Sequence, residues 1–240
     1  MKAILLAAGY GKRLRPFTND IPKCLIEINN RPIIDYWIEA LNEIGIKELL
    51  INTHYKAQKV EEYLSKIKYE IKITLTYEKE LLNTAGTIKE NKLFVKNEEI
   101  MLIHADNFSL INFYKFIKTY KERNSNIDIT MLTYITDQPE LAGIVNLNDN
   151  GEVIKFTEKQ KIDNGKIANG AVYIISKNVI NEICKINKDI IDFSVEILPK
   201  YIGKINTYHN NDFHIDIGNI RNLRIARQFV KTRNITKFTL

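Results

Sequence analysis

Through the first half of the chain, short unbroken apolar runs alternate with longer stretches whose apolar residues recur at helical spacing. Lys2–Ala8 (KAILLAA) is apolar after its first residue, the pattern of a strand buried on both faces. Pro32–Ile44 places Ile33, Ile34, Trp37, Ile38, Leu41 and Ile44 on one helical stripe, with Pro32 in the first turn and Gly45 as the stop. Glu48–Thr53 predicts a second strand, Ala57–Ile67 a second helix, and Ile73–Glu78 alternates as a strand. Ile100–Asp106 (IMLIHAD) is a further apolar run that ends on a carboxylate. Strands alternating with helices predict a parallel, doubly wound sheet with right-handed crossovers.

The second half changes character. Gly143–Leu147 and Val153–Glu158 flank Asn148-Asp149-Asn150-Gly151, whose Asn-Gly is a strong hairpin signal. Ala171–Ile175 predicts a strand, Asp192–Lys200 a short helix, Lys204–His209 and Phe213–Asp216 two more strands, and Asn219–Val230 a closing helix. No internal repeat, low-complexity segment or Gly/Ser linker interrupts the chain. The expected fold is α/β: a doubly wound, Rossmann-like mixed sheet with an inserted β-rich lobe. It forms a single domain over residues 1–240, divided near 135 and 218 into a sheet part, a lobe, and a C-terminal helix with its tail.

Composition adds constraints. A hydrophobic content of 45% with 27% charged residues is ordinary for a globular chain and excludes disorder as the general state. The net charge of +6 suits an anionic ligand, but its lysines are scattered among glutamates rather than blocked, which argues against a nucleic-acid surface. Cys24 and Cys184 have neither CxxC nor metal-ligand spacing and are expected as free thiols in a reducing compartment. The early apolar run is closed by Lys12 and Arg13, unlike a signal peptide. No stretch approaches the roughly 18 apolar residues of a membrane helix. A cytoplasmic protein without nucleic-acid or membrane partners is therefore expected; the pattern selects no oligomeric state.

Candidate chemistry begins directly after the first strand, at Leu6-Ala7-Ala8-Gly9-Tyr10-Gly11-Lys12-Arg13-Leu14. Small residues and glycines let backbone approach a ligand and turn N–H groups toward an anion. The dinucleotide fingerprint fails here, because Leu14 stands where the third glycine belongs and cations stand where a helix should start. The P-loop pattern fails too, lacking Gly-Lys-Ser/Thr. Lys12, Arg13, Arg15 and Lys23 supply the charge of a triphosphate clamp, with arginine offering a planar fork and lysine a mobile point charge. On the loop alone, a tight turn carrying solvated cations stays open as the plainer explanation.

The longer pattern Leu6-Ala7-Ala8-Gly9-x-Gly11-x-Arg13-Leu14-x-Pro16-x-Thr18, followed by Pro22-Lys23, resembles the signature of sugar-1-phosphate nucleotidyltransferases. The mannose-1-phosphate and heptose-1-phosphate guanylyltransferases are the nearest members in pattern. The resemblance implies the nucleotide-diphospho-sugar transferase fold, with a nucleotide-binding part, a sugar-binding lobe and a catalytic set of Arg13, Lys23, Asp106 and Lys159. It implies that Leu6, Ala7, Ala8, Gly9, Gly11, Lys12 and Arg13 hold the triphosphate and that Lys23 contacts phosphates at the reacting centre. Family members carry Gly-Asp at a strand end and an aspartate before a C-terminal glycine. Here Ala105-Asp106 and Asp216-Ile217-Gly218 keep the aspartates without the first glycine, which implies Mg²⁺ held jointly by Asp106 and Asp216. His104, two residues before Asp106, reads as a packed histidine rather than a ligand.

The resemblance extends to the lobe. Gly143-Ile144-Val145 takes the place of a Gly-x-Val strand that lets a sugar lie on backbone. Glu158-Lys159 matches a Glu-Lys-Pro motif for sugar hydroxyls and sugar phosphate, with Gln160 replacing the proline, and Asn169-Gly170 matches an asparagine that hydrogen-bonds the sugar. The base is expected beside Asn83, Thr84 and Gly86, where related enzymes hold it. Glu78 or Glu80 is the candidate reader. A carboxylate only accepts hydrogen bonds, which suits the adjacent ring N–H and amine of guanine. Uracil and thymine, with a donor beside an acceptor, suit an amide better, and cytosine would repel a carboxylate.

The expected reaction joins a nucleoside triphosphate, GTP by the carboxylate argument, to a mannose- or manno-heptose-type 1-phosphate, releasing pyrophosphate for a surface-polysaccharide pathway. Uridylyl, thymidylyl or cytidylyl transfer to another sugar or amino-alcohol phosphate is the alternative within the class. A molybdenum-cofactor guanylyltransferase shares the loop but not the lobe motifs. A non-catalytic nucleotide-sugar-sensing subunit is the alternative outside the class, opposed by the joint presence of Arg13, Lys23, Asp106 and Asp216. A nicotinamide oxidoreductase is opposed by the missing third glycine.

Overall fold

The computed structural model describes residues 1–159 and 165–239. Strand β1 (Lys2–Leu6) is followed by β2 (Glu27–Ile28), β3 (Arg31–Pro32), α1 (Ile33–Glu43), β4 (Glu48–Thr53), α2 (Ala57–Ser65) and β5 (Lys72–Tyr77). Next come α3 (Asn83–Glu90), α4 (Lys92–Val95), β6 (Ile100–His104), β7 (Asn107–Ser109), α5 (Phe113–Lys121) and β8 (Ile129–Ile135). The chain continues through β9 (Gly143–Leu147), β10 (Val153–Glu158), β11 (Ile167–Ile175), α6 (Lys177–Lys185), β12 (Ile205–His209), β13 (His214–Asp216) and α7 (Ile220–Arg233). Two compact units result. The first comprises Lys2–Leu81, Ile103–Ile111 and the segment from Asp212 onward; the second comprises Leu82–Leu102 and Asn112–Asn211.

In the first unit β1 and β5 flank β4, and both pairings are parallel, with Leu6 opposite Asn52 and Asn52 opposite Thr76. Ile4, Leu5, Leu49 and Ile51 are fully buried, as an apolar run packed on both faces requires. β1 stops at Leu6 rather than Ala8, because the Ala7 N–H leaves the ladder and donates to Oδ1 of Asn52 at 2.7 Å. Helix α1 buries the expected Ile33, Ile34, Trp37, Ile38 and Leu41. It also buries Tyr36, because Phe238 from the C-terminal tail stacks on that ring at 5.0 Å and meets Trp37 edge-on at 4.8 Å. The helix ends at Glu43, so Ile44 falls off the stripe, and Gly45 supplies the stop at φ +83.

In the second unit β8 lies between β11, antiparallel, and β12, parallel. β9 and β10 form the expected hairpin, with Gly151 at φ +73 in its turn. β11 begins at Ile167, earlier than the apolar run suggests. It carries a bulge between Asn169 and Tyr173, where Ala171 takes a left-handed φ of +51. The single helix expected over Asp192–Lys200 is two short turns, Phe193–Ile197 and Leu198–Tyr201. Pro199 lacks the N–H that would carry one helix through. The parallel strands and the antiparallel β8–β11 and β9–β10 pairs together give the mixed α/β architecture expected from the pattern.

Candidate active site

The glycine loop leaves β1 through Ala7 and Ala8, both buried, and rises to Gly9 and Tyr10, which are exposed. Where a Cβ on Gly9 would stand, no heavy atom of the described residues lies within 4 Å, so the loop's crest is open to a ligand. Gly11 takes φ +63, and a Cβ there would meet Thr18 Cγ2 at 2.8 Å. The Thr18 hydroxyl donates to the Gly11 carbonyl at 2.8 Å and fixes the far side of the loop. The loop then enters one short helical turn, Lys12–Leu14, and not the long helix of a dinucleotide site. Lys12 and Arg13 are exposed, while Leu14 is fully buried and anchors the turn.

Lys23 begins a second short turn, Lys23–Leu25, and is buried. Its Nζ donates to Asp106 Oδ2 and, at 3.2 Å, to Asp216 Oδ1. The carboxylates lie 110 positions apart in sequence and meet because β13 pairs antiparallel with β7, setting Asp216 opposite Asn107, the residue after Asp106. Burial works against charge on Asp106, but Lys23 and nearby His104 outweigh it and hold this carboxyl below its ordinary value. Asp216 is shifted the other way: burial and the charge of Asp106 push it up against Lys23 and Arg13. Burial also opposes the charge on Lys23, and the two carboxylates overcome it, keeping the ammonium protonated above its usual range. A Cβ on Gly218 would stand 2.6 Å from Asp216 Oδ2 and 3.0 Å from an Arg13 guanidinium nitrogen, so this glycine leaves room for both.

Among the described residues no group of three or more His, Cys, Asp or Glu is arranged to hold a metal ion. Two carboxylates converging on one ammonium nevertheless fit a Mg²⁺ ion, which commonly takes one or two protein carboxylates and completes its shell with water and phosphate oxygens.

Glu78 follows β5 and is buried, whereas Glu80, the other candidate base reader, is exposed. The Glu78 carboxylate accepts from Asn52 Nδ2 at 2.9 Å. Its carbonyl meets His54 Nδ1 at 2.8 Å, and His54 Nε2 meets the Tyr10 hydroxyl at 2.8 Å. A carbonyl only accepts, so Nδ1 carries a proton, and in the neutral ring Nε2 then accepts from Tyr10. Asn52 and His54 escaped the sequence reading; the available signal was a lone amide inside an otherwise apolar parallel strand. His214, also unread, meets Ser109 Oγ at 2.9 Å through Nδ1, and burial lowers its pKa to about 3.

The remaining expected residues belong to the second unit. Asn83 and Thr84 open helix α3. Thr84 Oγ1 accepts from the Phe193 N–H at 2.6 Å, and the Ala85 and Gly86 N–H groups donate to the Ile191 carbonyl at 2.9 and 3.1 Å. A Cβ on Gly86 would collide with the Asp189 carbonyl oxygen, so close packing accounts for that glycine. The space above Gly143, expected for a sugar, holds Glu158, whose Oε2 lies 2.6 Å from the would-be Cβ, and the Phe156 ring. Lys159 has φ +44, is largely exposed, and pairs with Glu158 at 3.0 Å. Gln160 lies outside the described residues. Asn169 donates to the Tyr173 hydroxyl at 2.6 Å and accepts from Ala171 N at 2.9 Å, holding the β11 bulge.

Residues 2–233 match the family model described as nucleotidyl transferase. The chain belongs to that family. The nucleotidyltransferase is 35% identical over 219 residues to the D-glycero-alpha-D-manno-heptose 1-phosphate guanylyltransferase of Campylobacter jejuni, covering 91% of this chain and 95% of that one. It is 32% identical to mannose-1-phosphate guanylyltransferase 1 of Arabidopsis thaliana over 76% of its own length, spanning about half (52%) of that longer protein. In structure it is similar to HddC from Yersinia pseudotuberculosis, also solved in complex with GMP-PN, with TM-score 0.80 and 25% identity over 95% of this chain and 98% of that one. A Bacillus anthracis protein crystallised with a sucrose shares the fold at TM-score 0.88 and 21% identity, covering 99% of this chain and 98% of that chain. No helix among the described residues is long and apolar enough to cross a membrane.

Proposed function

We propose that this nucleotidyltransferase condenses GTP with a mannose- or manno-heptose-type 1-phosphate, giving a GDP-sugar and pyrophosphate. The observation that carries the chemistry is the buried Lys23 ammonium between Asp106 and Asp216, beneath an open glycine loop that bears Arg13. The manno-configured sugar and the guanine base rest on similarity to the heptose and mannose 1-phosphate guanylyltransferases. The acceptor-only carboxylate of Glu78 agrees with guanine. A nucleotide-activated sugar of this kind is a donor for glycosyl transfer, and so for surface-polysaccharide assembly.

The sugar phosphate is an anion at neutral pH, so its oxygen attacks the α-phosphorus without a protein general base. The new P–O bond forms in line with the bond to the β-phosphate, which breaks and releases pyrophosphate. The loop backbone and Arg13 hold the triphosphate, Lys23 neutralises phosphate charge, and Lys159 with Glu158 and Asn169 orients the sugar phosphate. Asp106 and Asp216 would hold Mg²⁺, which when bound draws charge from the phosphate oxygens.

Pyrophosphate release is to be measured for GTP, UTP, dTTP, CTP and ATP against mannose, manno-heptose and glucose 1-phosphates with Mg²⁺. Turnover is expected with GTP and a manno-configured phosphate. A preference for UTP, dTTP or CTP overturns the base, and a preference for glucose 1-phosphate overturns the sugar. No release with any pair points to the sensing subunit.

A further inference from the structure

A buried amide has a fixed polarity, and the first unit contains one whose two ends join parts of the site. Asn52 is 4% exposed and follows Leu49, Leu50 and Ile51 on β4. Its Oδ1 accepts the Ala7 N–H at 2.7 Å, and its Nδ2 donates to Glu78 Oε1 at 2.9 Å. A backbone N–H only donates, so Oδ1 must face Ala7, and Nδ2 is then left toward a group that must accept. Asn52 stands in register between Leu6, where the loop begins, and Thr76, two residues before Glu78. A second tie runs from the Glu78 carbonyl through His54 to the Tyr10 hydroxyl at the loop's crest. Glu78 is thus joined to both the root and the crest of the glycine loop.

We propose that Asn52 and Glu78 are a positioning pair: the Asn52 amide, oriented by the Glu78 carboxylate, sets where the glycine-loop backbone stands to receive the nucleotide's phosphates. This rests on the reading of the loop as a nucleotide cradle. It gives Glu78 a task that acts through Asn52 and is separate from reading a base.

Polarity supplies the test. Asn52→Asp keeps an acceptor for Ala7 but sets a carboxylate against that of Glu78. Adding Glu78→Gln reverses donor and acceptor, so the introduced carboxylate accepts from both Ala7 and the introduced amide. Glu78→Gln alone keeps an acceptor for Asn52. Two readouts are taken: kcat and KM with the most active substrate pair of the matrix, and hydrogen exchange of the loop peptide in the free enzyme. Asn52→Asp is expected to lower kcat about 100-fold and speed exchange at the loop. The double variant is expected to raise kcat about 10-fold above that of Asn52→Asp, and both it and Glu78→Gln to show the loop exchange protection of the unaltered enzyme. A double variant no better than Asn52→Asp, or a Glu78→Gln loop that exchanges as fast as that of Asn52→Asp, overturns the pairing. Exchange that follows the polarity swap while kcat stays unchanged in every variant overturns the positioning role. An unaltered enzyme that turns over no nucleoside triphosphate overturns the underlying reading instead.

Discussion

A methyl group on Gly218 would press on Asp216 Oδ2 and on the Arg13 guanidinium together, so a single added carbon tests whether both groups must stand where they do. Gly218→Ala is expected to lower kcat by about 10-fold or more while shifting Tm by only a few degrees, read by steady-state kinetics and thermal melts. Asp106→Asn and Asp216→Asn remove charge without changing shape. Each is expected to reduce turnover by about 1,000-fold or more with a retained cooperative melt, and a near-normal rate in either variant removes that residue from the proposed metal site. Cys24 adjoins Lys23 in sequence but is fully enclosed, and burial pushes its thiol up to about 12. A thiol reagent at pH 8 is expected to leave Cys24 unmodified in the native protein and to reach it after denaturation. The loop glycines, Arg13, Lys23 and both aspartates stood out at this scale by residue type and by resemblance, and the structure brings Lys23, both aspartates and Arg13 together. Asn52 did not stand out, because an isolated asparagine in a strand has no spacing to announce its partners.

Among the elements, α1 and α3 show opposite ways in which pattern and packing relate. The stripe of α1 named its buried face, yet Tyr36 is buried as well, because the C-terminal tail lays Phe238 against Tyr36, Trp37 and Phe108. Phe238→Ala is expected to cost about 3–5 kcal/mol, measured by urea unfolding. Helix α3 begins at Asn83 in a left-handed conformation and contains Gly86, a residue the resemblance assigns to the base. The segment near Asp189 packs on Gly86 so closely that only hydrogen fits. Gly86→Ala is expected to destabilise by about 1–3 kcal/mol and lower Tm with little change in KM of the folded enzyme. A larger effect on KM than on stability would restore a direct ligand role for the segment.

For the molecule as a whole, the buried ionisable groups give stability a defined direction with pH. Tyr63 and Tyr69 are shifted up by burial and by donating to the Asp35 carboxylate, and Tyr36, Tyr120, Tyr173 and Tyr201 are raised by burial first. Lys23 is raised as well, by its two carboxylates. A group whose folded pKa lies above its unfolded value stabilises fully below the unfolded value, near 10 for these side chains, and loses that contribution as pH climbs through the folded value. The urea midpoint is therefore expected to hold through pH 8–9 and to fall from about pH 10 upward. A shallower fall is expected in Tyr63→Phe/Tyr69→Phe. A midpoint still flat at pH 10.5 in the unaltered protein would contradict this linkage.

The sequence by itself determined the alternation of parallel strands and helices, the β9–β10 hairpin, the glycine loop and the identity of its cations and carboxylates. Each of these is written locally, in side-chain period, turn chemistry or residue type. Only the tertiary structure decided that Asp106 and Asp216 share one lysine, that the Ala7 N–H is taken by Asn52, and that Gly86 is required by the backbone packed against it. Those outcomes depend on which distant segments the β7–β13 and β1–β4–β5 pairings and the packing of α3 bring within hydrogen-bond or van der Waals reach, and such distances have no signature in the spacing of residues along a chain.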